Sequence, residues 1–329
     1  MRTLDPLSTD WAVLSRLESN GRASYARIGR DLGMSKERVK RSAERLKVKG
    51  VVTQYSAVVN ITRLGFTPYV TYVQLNSCNE KMRHNILRKL CTYRDIYWVS
   101  RMGGKFDLLF ALAAPSIRVF AIRLSEIQAE FDGKFGKLAI NTRLQTIQFP
   151  RNYLAKRAPS RTSTTPAKPL SFGKDFDATE LSEVDTRLIN VLAVNARLPA
   201  TLLARELSLP RTTVQRHLRR LEQAGIIQGY VANVQVSTLG YETYRLLLMT
   251  ATRRPQLFDE IYEFARKNDH VTYIDFGVGE WDIELTCEVR RQQDLQKILL
   301  ELRSEFADRI SLIELLPIFE DNVKFQFAV

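Results

Sequence analysis

Histidine and cysteine are scarce in this chain, three of each among 329 residues, and that scarcity removes whole classes of chemistry. Cys78, Cys91 and Cys287 sit in no Cys-x-x-Cys spacing, and an odd number cannot all pair within one chain, so they read as reduced and mostly buried thiols. No His/Cys cluster has zinc spacing. A Walker A loop is missing, and GVGEWD at Gly277 to Asp282 lies between strand-like runs rather than opening a helix, which excludes a dinucleotide fingerprint. No cofactor or metal is expected. Long apolar runs are missing too: nothing reaches the roughly 18 residues of a membrane span. The opening MRTLDPLSTD lacks the apolar core of a signal peptide, so a cytoplasmic protein with no membrane partner is expected.

What the chain has is positive charge. Lys and Arg number 49 against 36 Asp and Glu, a formal net charge of +13, and the pI is near 9.7. Such a balance favours a polyanionic partner, of which nucleic acid is the commonest kind, and double-stranded DNA is the partner expected here. With 45% hydrophobic and 26% charged residues the chain is globular, and 329 residues exceed one typical domain.

The charge is densest in SYARIGRDLGMSKERVKRSAERLKVKG, Ser24 to Gly50. Tyr25, Ile28 and Leu32, then Val39, Ala43 and Leu46, fall at helical spacing, so two helices each bury one stripe. Gly33 can stop the first helix in the left-handed conformation and Ser35 can cap the second. This is a helix-turn-helix. Its second helix offers Lys36, Arg38, Lys40 and Arg41 toward base edges and Arg45 toward phosphates, with Lys47 and Lys49 beyond, against only Glu37 and Glu44. A merely solvated face more often mixes signs.

The stretch occurs twice. A shift that lays Asp10 on Asp185 also lays Leu17 on Leu192, Arg22 on Arg197, Leu32 on Leu207, Arg41 on Arg216, Arg45 on Arg220, Gly50 on Gly225, Tyr55 on Tyr230, Gly65 on Gly240 and Asp107 on Asp282, all without a gap. A register this long is a duplication. The second recognition helix offers Arg211, Thr212, Thr213, Gln215, Arg216 and Arg219, a different set that implies two unlike half-sites. Arg41 and Arg216 can equally pair with acidic neighbours in their module, and His217 can touch phosphate or stand in solvent.

Each copy continues past its glycine into a β-branched and aromatic run, VVTQYSAVVNI or IIQGYVANVQV, read as a wing strand. Strand-like and helix-like segments then alternate in the order βαββαβ, from TPYVTYVQL to KLAINTRLQTIQF in the first copy and from YRLLLMTA to ISLIELLPIF in the second. That order is the ferredoxin-like split motif, an antiparallel sheet with two helices on one face. The fold class is therefore α+β: two copies of a winged helix-turn-helix domain followed by a ferredoxin-like domain. The boundaries fall at 1–60 and 61–150, a linker at 151–178, then 179–235 and 236–329. The linker is rich in Pro, Ser, Thr and basic residues and reads as an extended tether, although Arg151, Lys156, Arg157, Arg161 and Lys168 can add phosphate contacts.

The combination resembles the Lrp/AsnC transcription regulators. It rests on both helix-turn-helix copies, the turns from Gly50 to Tyr55 and Gly225 to Tyr230, the opening LSEVDTRLINVLAVNAR at Leu181 to Arg197, and the glycine turns RMGGKFD and FGVGEWD, similar to that family's G-x-x-D turn. The resemblance implies sequence-specific binding near promoters, dimers built through the βαββαβ sheets, often higher homo-oligomers, and an amino acid or similar small molecule as effector. Gly103, Gly104, Asp107, Gly277, Gly279 and Asp282 are the effector-site candidates, since glycine lets backbone N–H groups approach a carboxylate and aspartate can take an amino group. The same residues serve equally as ordinary turns, and Trp98, Trp281 and Phe106 read as sheet packing. Members typically carry one module, so this tandem chain either closes on itself as a pseudo-dimer or pairs like with like between chains.

Two other readings share the architecture. Sirohaem decarboxylases use the same two-part plan, but His84, His217 and His270 form no matched sites between the copies. A co-regulator with one non-reading helix-turn-helix is the other, because Pro210 stands where Ser35 caps the first motif, though proline is tolerated in a first turn. The expected function is a regulator without enzymatic activity.

Overall fold

The structure is a computed structural model and describes residues 8–157, 168–173, 178–252 and 254–323. The chain opens with α1 (Ser8–Ser19), α2 (Tyr25–Leu32) and α3 (Lys36–Val48), whose Leu14, Leu17, Ile28, Val39 and Leu46 interlock with almost no exposed surface. Each such side chain contributes roughly 1.5–3 kcal/mol by leaving water. Gly33 ends α2 with a φ of 62°, and Ser35 accepts from the Arg38 amide at 3.2 Å to start α3, as its spacing predicts. β1 (Val52–Val59) follows, then β2 (Thr67–Leu75), α4 (Glu80–Leu90), β3 (Ile96–Met102), β4 (Leu108–Ala114), α5 (Ile117–Glu130) and β5 (Phe135–Gln148). The stripes Ile86, Leu87 and Leu90 on α4 and Phe120, Leu124 and Ile127 on α5 cover one face of this sheet.

The expected tether is docked at both ends. Arg151 opens α6 (Asn152–Lys156), whose Tyr153 and Leu154 lie in the core of the first helical head. β6 (Leu170–Gly173) adds to β5, with Leu170 against Gly229. Arg151, Lys156 and Arg157, weighed as phosphate contacts, are engaged within the protein: Arg151 with Glu18 and Glu288, Lys156 with Asp269, and Arg157 over the rings of Trp11 and Tyr241. Arg161 lies outside the described residues. The reading of a free linker is corrected because apolar Tyr153 and Leu154 sit among the charges and find a core to enter.

The second copy repeats the order with α7 (Glu183–Val194), α8 (Ala200–Leu207), α9 (Arg211–Gln223), β7 (Ile227–Val234), β8 (Glu242–Thr250), α10 (Pro255–Lys267), β9 (Val271–Gly279), β10 (Ile283–Val289), α11 (Gln292–Glu305) and β11 (Ile310–Val323). Ser208 takes the left-handed position of Gly33 at φ 55°, and Pro210 precedes α9 without a side-chain cap. α9 nevertheless runs 13 residues, the length of α3, so the second motif is intact.

The halves combine at two levels. β1 and β7, expected as separate wings, pair antiparallel with each other, and each lies under the other half's helices: Ala232 joins the core of the first head, Ala57 and Val59 that of the second. Below, the sheets join at both edges, β3 to β11 and β5 to β9, and the β2–β5 pairing closes the ring into a barrel. The ferredoxin-like sheet expected of each copy, with two helices on one face, is present in both halves, and the two sheets close on each other through their other faces. Helices cover the outside of each half, while Tyr72, Met102, Phe106, Leu109, Leu247, Trp281 and Leu316 fill the inside. Closure leaves the seam edges no unpaired ladder, the usual liability of an open sheet. The tandem chain is its own pseudo-dimer.

Candidate nucleic-acid interface

On α3, Val39, Ala43 and Leu46 face the core and leave Lys36, Arg38, Lys40 and Arg41 exposed along the opposite side. Lys40 pairs with Glu44 at 3.7 Å on the surface, an i,i+4 contact worth about 0.3–0.5 kcal/mol. On α9, Val214 and Leu221 are buried; Arg211, Thr212, Arg216 and Arg219 are exposed and Thr213 and Gln215 half-exposed. Each set forms one continuous face.

The acidic pairing weighed for Arg41 and Arg216 falls one turn later. Asp10, fully buried on α1, accepts from Arg45 Nη2 and from the Ser42 hydroxyl, both at 2.5 Å. Asp185 does the same in the second head, accepting from Arg220, from His217 Nδ1 at 2.8 Å and from the Ser182 cap. Burial alone would raise the Asp185 carboxyl, but the Ser182 and His217 hydrogen bonds and the Arg220 charge hold it below the usual range. Arg45, expected at phosphate, is thus first a clamp that fixes α3 on α1, with part of its side chain still exposed. His217 is no free solvated side chain: its Nδ1 lies on Asp185, where Ser42 stands on Asp10 in the first head.

The heads are locked by reciprocal contacts. The Gly21 amide donates to Tyr230 carbonyl oxygen and the Ala196 amide to Tyr55 carbonyl oxygen, both at 2.8 Å. Arg22 donates to the Ala196 carbonyl at 2.8 Å with its guanidinium 5.2 Å from the Tyr230 ring centre. Arg197 donates to the Gly21 carbonyl at 2.6 Å and lies 5.1 Å from the Tyr55 ring centre. Matched residues exchange places, so the heads are related by an approximate two-fold axis.

The glycine turns part company. At the first, Gly104 has φ 87° and Gly103 lies under the Phe319 ring. Asp107 accepts from the Leu75 amide at 2.7 Å and pairs with Arg83, while Arg101 lies 3.4 Å from Glu80. These side chains line a cavity of about 190 Å³. At the second turn a Cβ on Gly277 would stand 2.0 Å from Asn141 Oδ1 and one on Gly279 2.3 Å from the Ile140 carbonyl oxygen, so both glycines are required by the approach of β5. Asp282 is buried and accepts from the Thr250 amide and hydroxyl at 2.8 and 2.7 Å. Arg83, Leu87 and Arg101 are matched here by Phe258, Tyr262 and Phe276, with the Phe258 and Phe276 rings 5.5 Å apart. Gly277 and Gly279 thus serve the β5–β9 seam and Asp282 the turn, the ordinary role weighed for them beside effector binding.

Residues 8–47 match the AsnC-type helix-turn-helix domain, and residues 181–228 match the winged helix-turn-helix DNA-binding domain. The HTH-type transcriptional regulator LrpA of Pyrococcus horikoshii is 28% identical over 120 residues, 36% of this chain and 83% of its own length. Ptr1 of Methanocaldococcus jannaschii, also an HTH-type transcriptional regulator, is 26% identical over 121 residues, covering 37% of this chain and 80% of its own. The first helix-turn-helix is of the AsnC type, and the chain is similar to the Lrp/AsnC regulators. A crystal structure of the siroheme decarboxylase NirDL aligns with 97% of this chain and 94% of its own at a TM-score of 0.64 and 12% identity, so the tandem fold is shared with an enzyme. The histidines stand apart: His84 is exposed on α4, His217 holds Asp185, and His270 Nδ1 lies 2.8 Å from the Glu288 carbonyl oxygen. Trp281 and Phe106 fill the barrel and Trp98 donates to Asp321, the packing roles expected of them. The Arg22/Arg197 exchange is the feature that spacing does not reveal, although their identity across the repeat marks them.

Proposed function

We propose that this chain, a transcription regulator of the Lrp/AsnC type, works in the cytoplasm as a one-chain reader of two unlike DNA half-sites set as an inverted pair. The carrying observation is the exchange of Arg22 and Arg197 across the β1–β7 ribbon, which holds α3 and α9 in one two-fold-related unit. Lys36, Arg38, Lys40 and Arg41 read one half-site, and Arg211, Thr212, Thr213, Gln215, Arg216 and Arg219 read the other, with Arg45 touching phosphate from its clamp. A small zwitterion of amino-acid size is the effector, its carboxylate taken by Arg83 or Arg101 and its ammonium by Asp107 or Glu80 in the first half's cavity. Ordering that cavity shifts the balance of head positions and so the affinity for DNA.

Selection from random duplexes, followed by titration across a salt series, tests this reading. Two different half-sites in inverted orientation, with affinity falling as salt rises, are expected. A strict palindrome or a direct repeat overturns it. The decarboxylase fold relationship sets the control: sirohaem added to the purified chain is expected to give no product, and product would establish an enzyme.

A further inference from the structure

The repeat relates the two halves of the barrel, but the polar groups that meet inside it do not follow the repeat. Arg143 on β5 lies 2.5 Å from Glu284 on β10 and 2.9 Å from Asp275 on β9. Arg245 on β8 donates to the same Glu284 oxygen at 2.5 Å and to the Thr286 hydroxyl at 3.0 Å. Tyr72 on β2 donates to Glu284 at 2.5 Å, and the Trp281 indole N–H to its other oxygen at 2.7 Å. All four charged side chains are over nine-tenths buried. The repeat lays Arg143, Glu284, Asp275 and Arg245 on Ile318, Leu109, Ser100 and Val70, none of them charged.

The seams differ in a second, independent way. Where β5 meets β9, Thr146 lies opposite Asp275 and its hydroxyl donates to that carboxylate at 2.5 Å. Where β3 meets β11, Ser100 lies opposite Asp321 and its hydroxyl donates to that carboxylate. The repeat lays Thr146 on Asp321 and Ser100 on Asp275, so carboxylate and hydroxyl have changed strands between the seams.

We propose that these groups form a pairing code by which a first half accepts only a second half of this chain and neither half accepts its own kind. Two first halves face to face would bury Arg143 with no carboxylate and set the Thr146 hydroxyl against that of Ser100. Two second halves would set Asp275 against Asp321 at both seams and strip Glu284 of Arg143. A buried charge without its partner costs far more than a buried pair gains, so both like pairings are disfavoured. Each closed barrel therefore carries one head of each kind. The code stands whether or not the heads read DNA.

Urea unfolding of the full chain tests the seam. Thr146→Asp puts a carboxylate opposite Asp275 and is expected to lower the folding equilibrium constant about tenfold or more. Thr146→Asp/Asp275→Ser rebuilds the arrangement of Asp321 and Ser100 and is expected to regain most of that loss; additive losses overturn the code. Oxidative cross-linking of the full chain tests the pairing. Arg101 lies opposite Glu320, so Arg101→Cys/Glu320→Cys should close a disulfide within one chain. Gln145 lies opposite Phe276, the repeat-match of Arg101, so Arg101→Cys/Gln145→Cys brings the new thiols together only where two first halves meet. No covalent dimer above the unsubstituted chain's background is expected from this second variant, and a dimer at the yield of the first overturns the proposal.

Discussion

Arg22 and Arg197 each donate to a carbonyl of the other half, Arg22 to Ala196 and Arg197 to Gly21, and each covers a tyrosine ring there. The contacts cross between the heads without involving either recognition helix. Their removal should loosen the geometry of reading without touching either reader. Arg22→Ala/Arg197→Ala is expected to weaken binding to a duplex carrying both half-sites about 10–100-fold, through lost preorganisation, and binding to a single half-site less than about threefold. Fluorescence anisotropy with both duplexes measures the split.

Arg41 and Arg45 lie one turn apart on α3 and should respond differently. Arg38→Ala/Arg41→Ala removes exposed charge, so the thermal midpoint should stay within about 1 °C while the salt slope of binding falls by about 2. Arg45→Ala leaves Asp10 buried on Ser42 alone and should cost about 1–3 kcal/mol of stability. Calorimetry beside the binding titration separates the two.

Arg151 joins the first head to the second half of the barrel. Its guanidinium sits between Glu288 at 2.8 Å and Glu18 at 3.3 Å, and the Tyr153 hydroxyl donates to Glu288 as well. Arg151→Met strands two buried carboxylates and is expected to cost about 3–5 kcal/mol in urea unfolding, whereas Tyr153→Phe should cost about 1–2 kcal/mol.

Acid should act through Glu284 and Glu18 in opposite directions. Burial would push the Glu284 carboxyl up, but Arg143, Arg245 and the Tyr72 and Trp281 donors hold it down to about 2. A lowered carboxylate stabilises the fold above its ordinary value of 4.5, and that stability drains away between 4.5 and about 2. Burial raises Glu18 against the pull of Arg151, so its charged form costs stability, and the cost lifts as pH falls toward 4.5. Unfolding midpoints from pH 2 to 8 should fall below pH 4.5. Glu284→Gln should flatten that fall, and Glu18→Gln the slope above it.

The cavity at the first glycine turn makes the effector reading testable at one residue. Asp107→Asn should abolish any shift of DNA affinity by an amino acid that the unsubstituted chain shows, while Phe258→Leu at the matched second turn should leave the shift in place. A panel of amino acids against the selected duplex measures both.

How much is legible in the order of residues depends on the range of the interaction. Gly33, Ser35 and the stripe Val39, Ala43, Leu46 act within a few residues, and the helix-turn-helix stands where their spacing puts it. The duplication, the strand order and the exposed cations of α3 and α9 follow from the same local signals. Arg45 and Arg41 carry the same charge a turn apart, and only the buried position of Asp10 decides which is clamped and which is free to reach outward. Tyr153 and Leu154 look like linker residues until a core accepts them.

The residue order by itself determines two α+β modules and two exposed basic helices of different composition on a basic chain, because periodicity, caps and charge act locally. Tertiary structure alone decides that the modules close on each other, that β1 and β7 form one ribbon, and that one glycine turn opens on a cavity while the other is filled by β5. The reason is physical: such outcomes depend on residues far apart in the chain, such as Arg143 and Glu284 or Thr146 and Asp275, that meet only when folding brings their strands together.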